Sequence, residues 1–177
     1  WFYAVALMTY GDDVKMSVSP KFPDYNHTRI QSEFNKQGIE YTMAEKEAAS
    51  VPFIQHEDAD FLKRKSRWEP SYSYTEGDGT INKGMWLAML DEESIFKSLH
   101  ANLASKVKSP EEVSVQCIEG ALREWWFYGE ETFNFRHAQM KEVVSRLGWT
   151  NFMSTQFWDT YSARESRWLE QNEVTIM

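Results

Sequence analysis

Cysteine is almost absent from this chain. Cys117 stands alone among 177 residues, which excludes an intrachain disulfide and fits a reducing compartment. Set between Gln116 and Ile118, it reads as a packing residue. The four histidines, His27, His56, His100 and His137, lack the Cys/His spacing of a zinc site. There is no Gly-rich phosphate loop, no nucleophile elbow and no paired catalytic cysteine and histidine. No run is long or apolar enough to span a membrane, and no signal peptide opens the chain, so the sequon Asn26-His27-Thr28 carries no weight. Basic residues are in deficit: 19 Lys and Arg against 27 Asp and Glu leave a net charge of −8. That balance excludes attraction of nucleic acid by the surface as a whole and restricts any such contact to local basic patches. Internal repeats and low-complexity tracts are absent as well.

What the chain has in quantity is aromatic surface, 15% of residues, with 8 Trp and 11 Phe. Aromatic rings permit base stacking, but large hydrophobic anchors are their plainer use. The length allows one domain with a substantial core. The chain lacks an initiator Met and opens in mid-strand, so it is expected to be a piece of something longer.

The most informative stretch is Tyr10-Gly11-Asp12-Asp13. Before it, Trp1 to Thr9 is apolar on both alternating faces, the pattern of a strand covered on both sides. After it, Val14, Met16 and Val18 alternate with Lys15 and Ser17, as in a returning strand with one wetter face. Gly11 and Asp12 suit the central positions of a type II′ turn, where Gly supplies the positive φ. Turn chemistry accounts for Gly-Asp but not for the second aspartate, because adjacent like charges repel unless a cation or solvent screens them. Hard carboxylate oxygens suit Mg²⁺, which keeps several waters and shares its shell with phosphates.

Further along, Pro20 and Pro23 break the chain, and Asn26 or Thr28 can cap a short helix ending near Gly38. Ile39, Tyr41 and Met43 alternate as a strand, and Phe61 to Trp68 reads as another, with Lys63, Lys65 and Arg67 on one face and Leu62, Arg64 and Ser66 on the other. Pro70 and Gly77-Asp78-Gly79 mark turns. Asp91 can cap a helix carrying Ile95, Leu99 and Leu103. Ser109-Pro110-Glu111-Glu112 is a capping box with Pro at the first helical position, opening a helix whose buried face holds Val113, Cys117, Ala121 and Trp125, with Ile118 and Leu122 beside them. Gly129 can end it. A third helix through Met140, Val144 and Leu147 stops at Gly148. Trp125-Trp126-Phe127-Tyr128 is read as packing rather than as a stacking platform. Trp149 to Met177 shows no clear period.

Three segments carry a family resemblance. Tyr10-Gly11-Asp12-Asp13 resembles the signature of RNA-dependent RNA polymerases from picorna-like positive-strand viruses. Tyr41-Thr42-Met43-Ala44-Glu45-Lys46 resembles the lysine-bearing segment that follows it in the palm. Phe61-Leu62-Lys63-Arg64 resembles the element that closes the palm and leads to the thumb. They occur in family order within the first 64 residues, and Ser109 to Gly129 looks like a thumb helix of the same group.

The resemblance implies an α+β fold: antiparallel palm strands with a helix, followed by a mainly helical thumb. Its expected divisions are 1–84 (partial palm with metal-binding hairpin and primer-grip strand), 85–148 (helical thumb) and 149–177 (a C-terminal segment, docked on the thumb or a polyprotein junction). It implies RNA-templated RNA synthesis by two-metal nucleotidyl transfer with Mg²⁺ or Mn²⁺, Asp12 as principal ligand and Asp13 supporting it. Lys46 is placed near the leaving pyrophosphate, against the alternative of a solvated lysine paired with Glu45 or Glu47. Phe61, Leu62, Lys63, Arg64 and Lys65 are placed on the primer, against the alternative of a charged edge strand. The implied partners are RNA template and primer, nucleoside triphosphates and other viral replication proteins, in a membrane-associated complex of the host cytoplasm. The family's partner aspartate and nucleotide-selecting segments belong upstream of Trp1, so the chain alone is expected not to polymerise. Other readings are a reverse transcriptase, which Phe61-Leu62-Lys63-Arg64 disfavours, and a non-catalytic RNA-binding or assembly module. The chain departs from many relatives at Val14-Lys15, where Lys15 could pair with Asp13 or with a phosphate. Gln171-Asn172 is a possible polyprotein cleavage junction.

Overall fold

The computed structural model describes residues 4–100 and 104–177. Leu103, expected on the first long helix, lies outside them. The fold is α+β, and its contacts divide the chain between Ser66 and Arg67.

In the first unit, β1 (Val5–Tyr10) and β2 (Asp13–Val18) form an antiparallel hairpin paired from Val5 with Val18 to Tyr10 with Asp13. Helix α1 (His27–Lys36) starts where expected: the Asn26 side chain accepts a hydrogen bond from the Arg29 amide, and Gly38 turns the chain out at φ +72°. Two expectations fail here. β1 is apolar on both faces, yet Leu7, Met8 and Tyr10 are 53%, 56% and 71% exposed rather than covered. Residues 39–43 alternate but form no strand, because no strand edge among the described residues pairs with them. Tyr41 is held instead by its ring, stacked on His27 at 4.8 Å and edge-on to Phe34, and by its carbonyl, which accepts from Gln31 Nε2.

The second unit is built on a three-stranded sheet in the order β4-β3-β5. β3 (Arg64–Thr75) runs straight through Pro70, which therefore marks no turn, and the reversal comes at residues 76–80, with Gly79 at φ +87°. β4 (Ile81–Leu90) is a strand where a helical subdomain was expected from residue 85; the helices begin only at α2 (Glu92–His100), capped by Asp91. A boundary at 84/85 would cut β4 in half. Gly84 is obligatory in it: φ is +77°, and an added Cβ would stand 1.9 Å from the Trp68 indole.

Helices α3 (Pro110–Trp126) and α4 (Glu130–Leu147) form the centre of this unit. Ser109 and Glu112 complete the capping box of α3, and Gly148 ends α4 in the left-handed conformation. The α3 face that turns inward is Val115, Ile118, Ala121, Leu122, Trp125 and Trp126, so the buried stripe is rotated from the one expected, and Val113 and Cys117 are only half-buried. Ile95, Phe133, Val144 and Phe157 complete the core around Trp125, and the tryptophans serve as packing anchors as read. A fully buried aromatic of this kind is worth about 3–5 kcal/mol against alanine. One carboxylate fastens the helices: Glu92 accepts from Arg136 at 2.6 Å and from the Trp125 indole at 3.3 Å.

The C-terminal stretch is docked. α5 (Tyr161–Asn172) packs Trp168 against Tyr72, Trp126 and Phe127, and β5 (Val174–Ile176) pairs antiparallel with Tyr72 to Tyr74. Tyr72 donates to Glu165 at 2.6 Å. Gln171 lies in the last turn of α5, which ends at Asn172 with Glu173 as its C-cap, and Val174–Ile176 then form β5.

His137 is buried among Phe133 and Phe157, and its Nε2–H donates to the Phe157 carbonyl at 2.6 Å. Burial, followed by the nearby Lys141 cation, holds its pKa below the ordinary value. The unfolded chain therefore takes up this proton at a higher pH than the folded one, and stability falls as pH drops through about 6.5. Urea unfolding at pH 7.5 and 5.5 is expected to show a lower midpoint at pH 5.5, with the difference reduced in His137→Gln.

Candidate active site

The hairpin register leaves two residues outside the ladder, Gly11 and Asp12. Gly11 has φ +61° and Asp12 is not left-handed, which is the type II′ arrangement. The strands carry a right-handed twist that this turn matches, so the tip is fixed without strain. Asp12 stands at the tip and Asp13 opens β2; both carboxylates are exposed. No cluster of three or more His, Cys, Asp or Glu surrounds them among the described residues.

Lys15 lies two residues beyond Asp13 and so on the same face of β2. No ion pair between its ammonium and that aspartate is found among the described residues. It donates to the Ala59 carbonyl at 2.8 Å and to Ser66 Oγ at 3.3 Å. Burial lowers its pKa, and the Asp60 carboxylate opposes the shift. The same lysine, after burial, helps hold His56 below the usual histidine range.

The Phe61 to Lys65 run is not one continuous strand. Phe61 and Arg64 exchange both backbone hydrogen bonds at 3.0 Å, and Leu62 and Lys63 form the tip between them at φ +54° and +61°. Two consecutive left-handed residues make a type I′ turn, a place that Asn-Gly fills easily and that leucine and lysine fill at about 1–2 kcal/mol each. The expected facial alternation therefore holds only from Arg64 onward. Leu62, Lys63 and Lys65 are exposed, and Phe61 and Arg64 are half-buried.

Lys46 is exposed on an irregular segment, and no ion pair with Glu45 or Glu47 is found among the described residues. Just before it, Tyr41 to Ala44 lines a cavity of about 350 Å³ together with β2 and residues 51–60. Its lining includes the titratable side chains of Lys15, His27, His56 and Asp60. Asp12, Asp13 and Lys46 are not part of that lining. The structure thus joins the aspartate hairpin to the Leu62–Lys63 turn through Lys15, and no such link to Lys46 is found among the described residues.

No family model matches the chain. It is 32% identical over 148 residues to the RNA1 polyprotein of Broad bean wilt virus 1, covering 82% of this chain and 7% of that polyprotein. It is 31% identical over 136 residues to the replicase polyprotein of Drosophila C virus, covering 76% of this chain and again 7% of the relative. The chain belongs with the replicase polyproteins of picorna-like viruses. The Sicinivirus 3Dpol RNA-dependent RNA polymerase superposes on 97% of it with a TM-score of 0.59 at 17% identity, while the chain covers 31% of that protein. This replicase segment therefore has the fold of part of an RNA-dependent RNA polymerase.

The two carboxylates of this segment fit a divalent cation of the magnesium type. Mg²⁺ demands oxygen donors, takes one or two carboxylates, and leaves the rest of its shell to water and phosphate. Exposed adjacent aspartates on a rigid tip meet that description as a partial donor set. Sequence reasoning missed the clamp by Lys15, whose partners lie 44 and 51 residues away, and the left-handed turn, whose residues carry no turn signature. Lys63→Gly is expected to raise the stability of the chain by on the order of 1 kcal/mol, because glycine occupies this backbone without a Cβ clash. A denaturant midpoint no higher than that of the unchanged chain would show that the turn is not strained.

Proposed function

We propose that this chain is the metal-holding and primer-gripping part of a viral RNA-directed RNA polymerase. The observation that carries the reading is the exposed Asp12–Asp13 pair on a type II′ tip in a chain of polymerase fold. Asp12 is the principal and Asp13 the supporting ligand of Mg²⁺ or Mn²⁺. A divalent ion held by these two carboxylates would supply charge neutralisation at the attacking and leaving oxygens of nucleotidyl transfer. Lys46, for which no ion pair with Glu45 or Glu47 is found among the described residues, faces the leaving pyrophosphate, where an ammonium can donate a proton or neutralise charge. The Leu62–Lys63 tip and Lys65 hold the primer by its phosphates, which needs no base readout. The helices from Glu92 onward serve as the thumb.

Template and primer RNA and nucleoside triphosphates are the ligands of this reading, with other replication proteins as partners in a membrane-associated complex of the host cytoplasm. No helix among the described residues is long and apolar enough to cross a membrane. Two carboxylates are part of a donor set, so the 177-residue chain alone is expected to incorporate no nucleotide.

In the full-length polymerase on a primed RNA template, Asp12→Asn is expected to reduce nucleotide incorporation by about 100-fold or more, a loss of roughly 3 kcal/mol in transition-state stabilisation. Lys63→Gly should leave metal dependence intact and lower the slope of log affinity against log salt by about one phosphate contact. Full activity of Asp12→Asn would dismiss the metal assignment and favour a non-catalytic RNA-binding module. A preference for deoxynucleotides would favour a reverse transcriptase.

A further inference from the structure

We propose that Lys15 is a positioning residue whose ammonium clamps the Phe61–Arg64 turn to the hairpin carrying Asp12 and Asp13, fixing the distance from the metal-holding tip to the primer-gripping tip. The inference rests on the polymerase reading of those two tips. Its geometry does not.

The clamp catches both arms of the turn. Ala59 precedes the turn and ends the short 3₁₀ segment His56–Asp58; Ser66 follows it in β3. One ammonium donates to the carbonyl of the first and the hydroxyl of the second. A lysine has three protons to donate, and two of them are committed inside the protein. Partial burial of an ammonium costs free energy unless such partners offset it, so the contact is not the idle pose of a surface side chain. Asp60 adds opposite charge beside it. On the other side the lever is short: Lys15 is two residues from Asp13 in a strand whose register is fixed along its whole length. Any shift of the turn relative to the clamp changes where Lys63 stands with respect to the carboxylates. Displacements of about 1 Å between reacting groups can cost on the order of 100-fold in rate.

A lysine beside paired aspartates invites the competing role of phosphate ligand. That role needs the ammonium turned outward, whereas here it is turned into the protein. The two roles separate experimentally. The full-length polymerase is prepared unchanged and as Lys15→Met, Lys15→Arg, Ser66→Ala and Lys15→Met with Ser66→Ala, with Asp12→Asn as the control for the metal assignment.

The first readout needs no metal. In EDTA, amide hydrogen exchange at Phe61 and Arg64 is expected to rise about tenfold in Lys15→Met and about twofold in Ser66→Ala, since the turn loses one or both fastenings. The second is single-nucleotide incorporation on primed RNA. Lys15→Met should lower the maximal rate about tenfold and leave the nucleotide KM within about twofold; Lys15→Arg should recover most of the rate; Ser66→Ala should cost nothing further once Lys15 is gone. Unchanged exchange in Lys15→Met and Ser66→Ala overturns the clamp. A raised nucleotide KM at unchanged rate overturns it in favour of a phosphate ligand, as does a loss in the double variant equal to the product of the single losses. Should Lys15→Met fail to fold, Lys15→Arg and Ser66→Ala still decide by exchange. An Asp12→Asn enzyme as active as the unchanged one would sink the polymerase reading while leaving the exchange result to judge the clamp.

Discussion

A β-hairpin closed by two residues leaves the backbone almost no choice of path, and at the tip of β1–β2 that path requires a left-handed residue in the first central position. Gly11 meets the requirement at φ +61° without a Cβ to obstruct it. Everything at the site is set by this. The register runs unbroken to Tyr10 and Asp13, Asp12 is left at the apex, and both carboxylates are exposed to water. Lys15, on the same face, faces inward and joins this tip to the second two-residue reversal in the unit.

That second reversal obeys the same rule with the wrong residues. Leu62 and Lys63 occupy a conformation that Asn-Gly would adopt more easily, at a combined cost of about 2–4 kcal/mol. The second unit is held together by its own contacts. In the second unit Trp125, Phe133 and Phe157 are fully buried, Glu92 fastens α2 to α3 and α4, and the C-terminal strand closes the edge of β3.

Most of the regular structure was legible where the signal is local. The type II′ tip, the Asn26 cap, the Ser109–Glu112 capping box and the stop at Gly148 all depend on residues within four positions of one another. What was not legible depends on distance in sequence. Ile39 to Met43 alternates as a strand should, but alternation makes a strand only where a free edge is available to pair. β4 was hidden because Trp86 to Leu90 is a continuous apolar run, in which periodicity does not separate strand from helix, and because Gly84 breaks the alternation to admit Trp68. β5 has three residues and exists only through Tyr72 to Tyr74, about 100 positions earlier. The exposed turn that carries Asp12 was legible in the sequence, whereas the left-handed Leu62–Lys63 tip and the reach of Lys15 follow from tertiary placement alone.

The account stands on the claim that Asp12 and Asp13 hold a divalent ion. Anomalous X-ray scattering from Mn²⁺ in crystals of the full-length polymerase with primed RNA and a non-hydrolysable nucleotide tests it most directly. The account predicts a manganese peak within about 2.0–2.3 Å of carboxylate oxygens at the hairpin tip, near the spacing of hard-cation oxygen ligands. Peaks elsewhere in the molecule, with the Asp12–Asp13 tip bare, would contradict it.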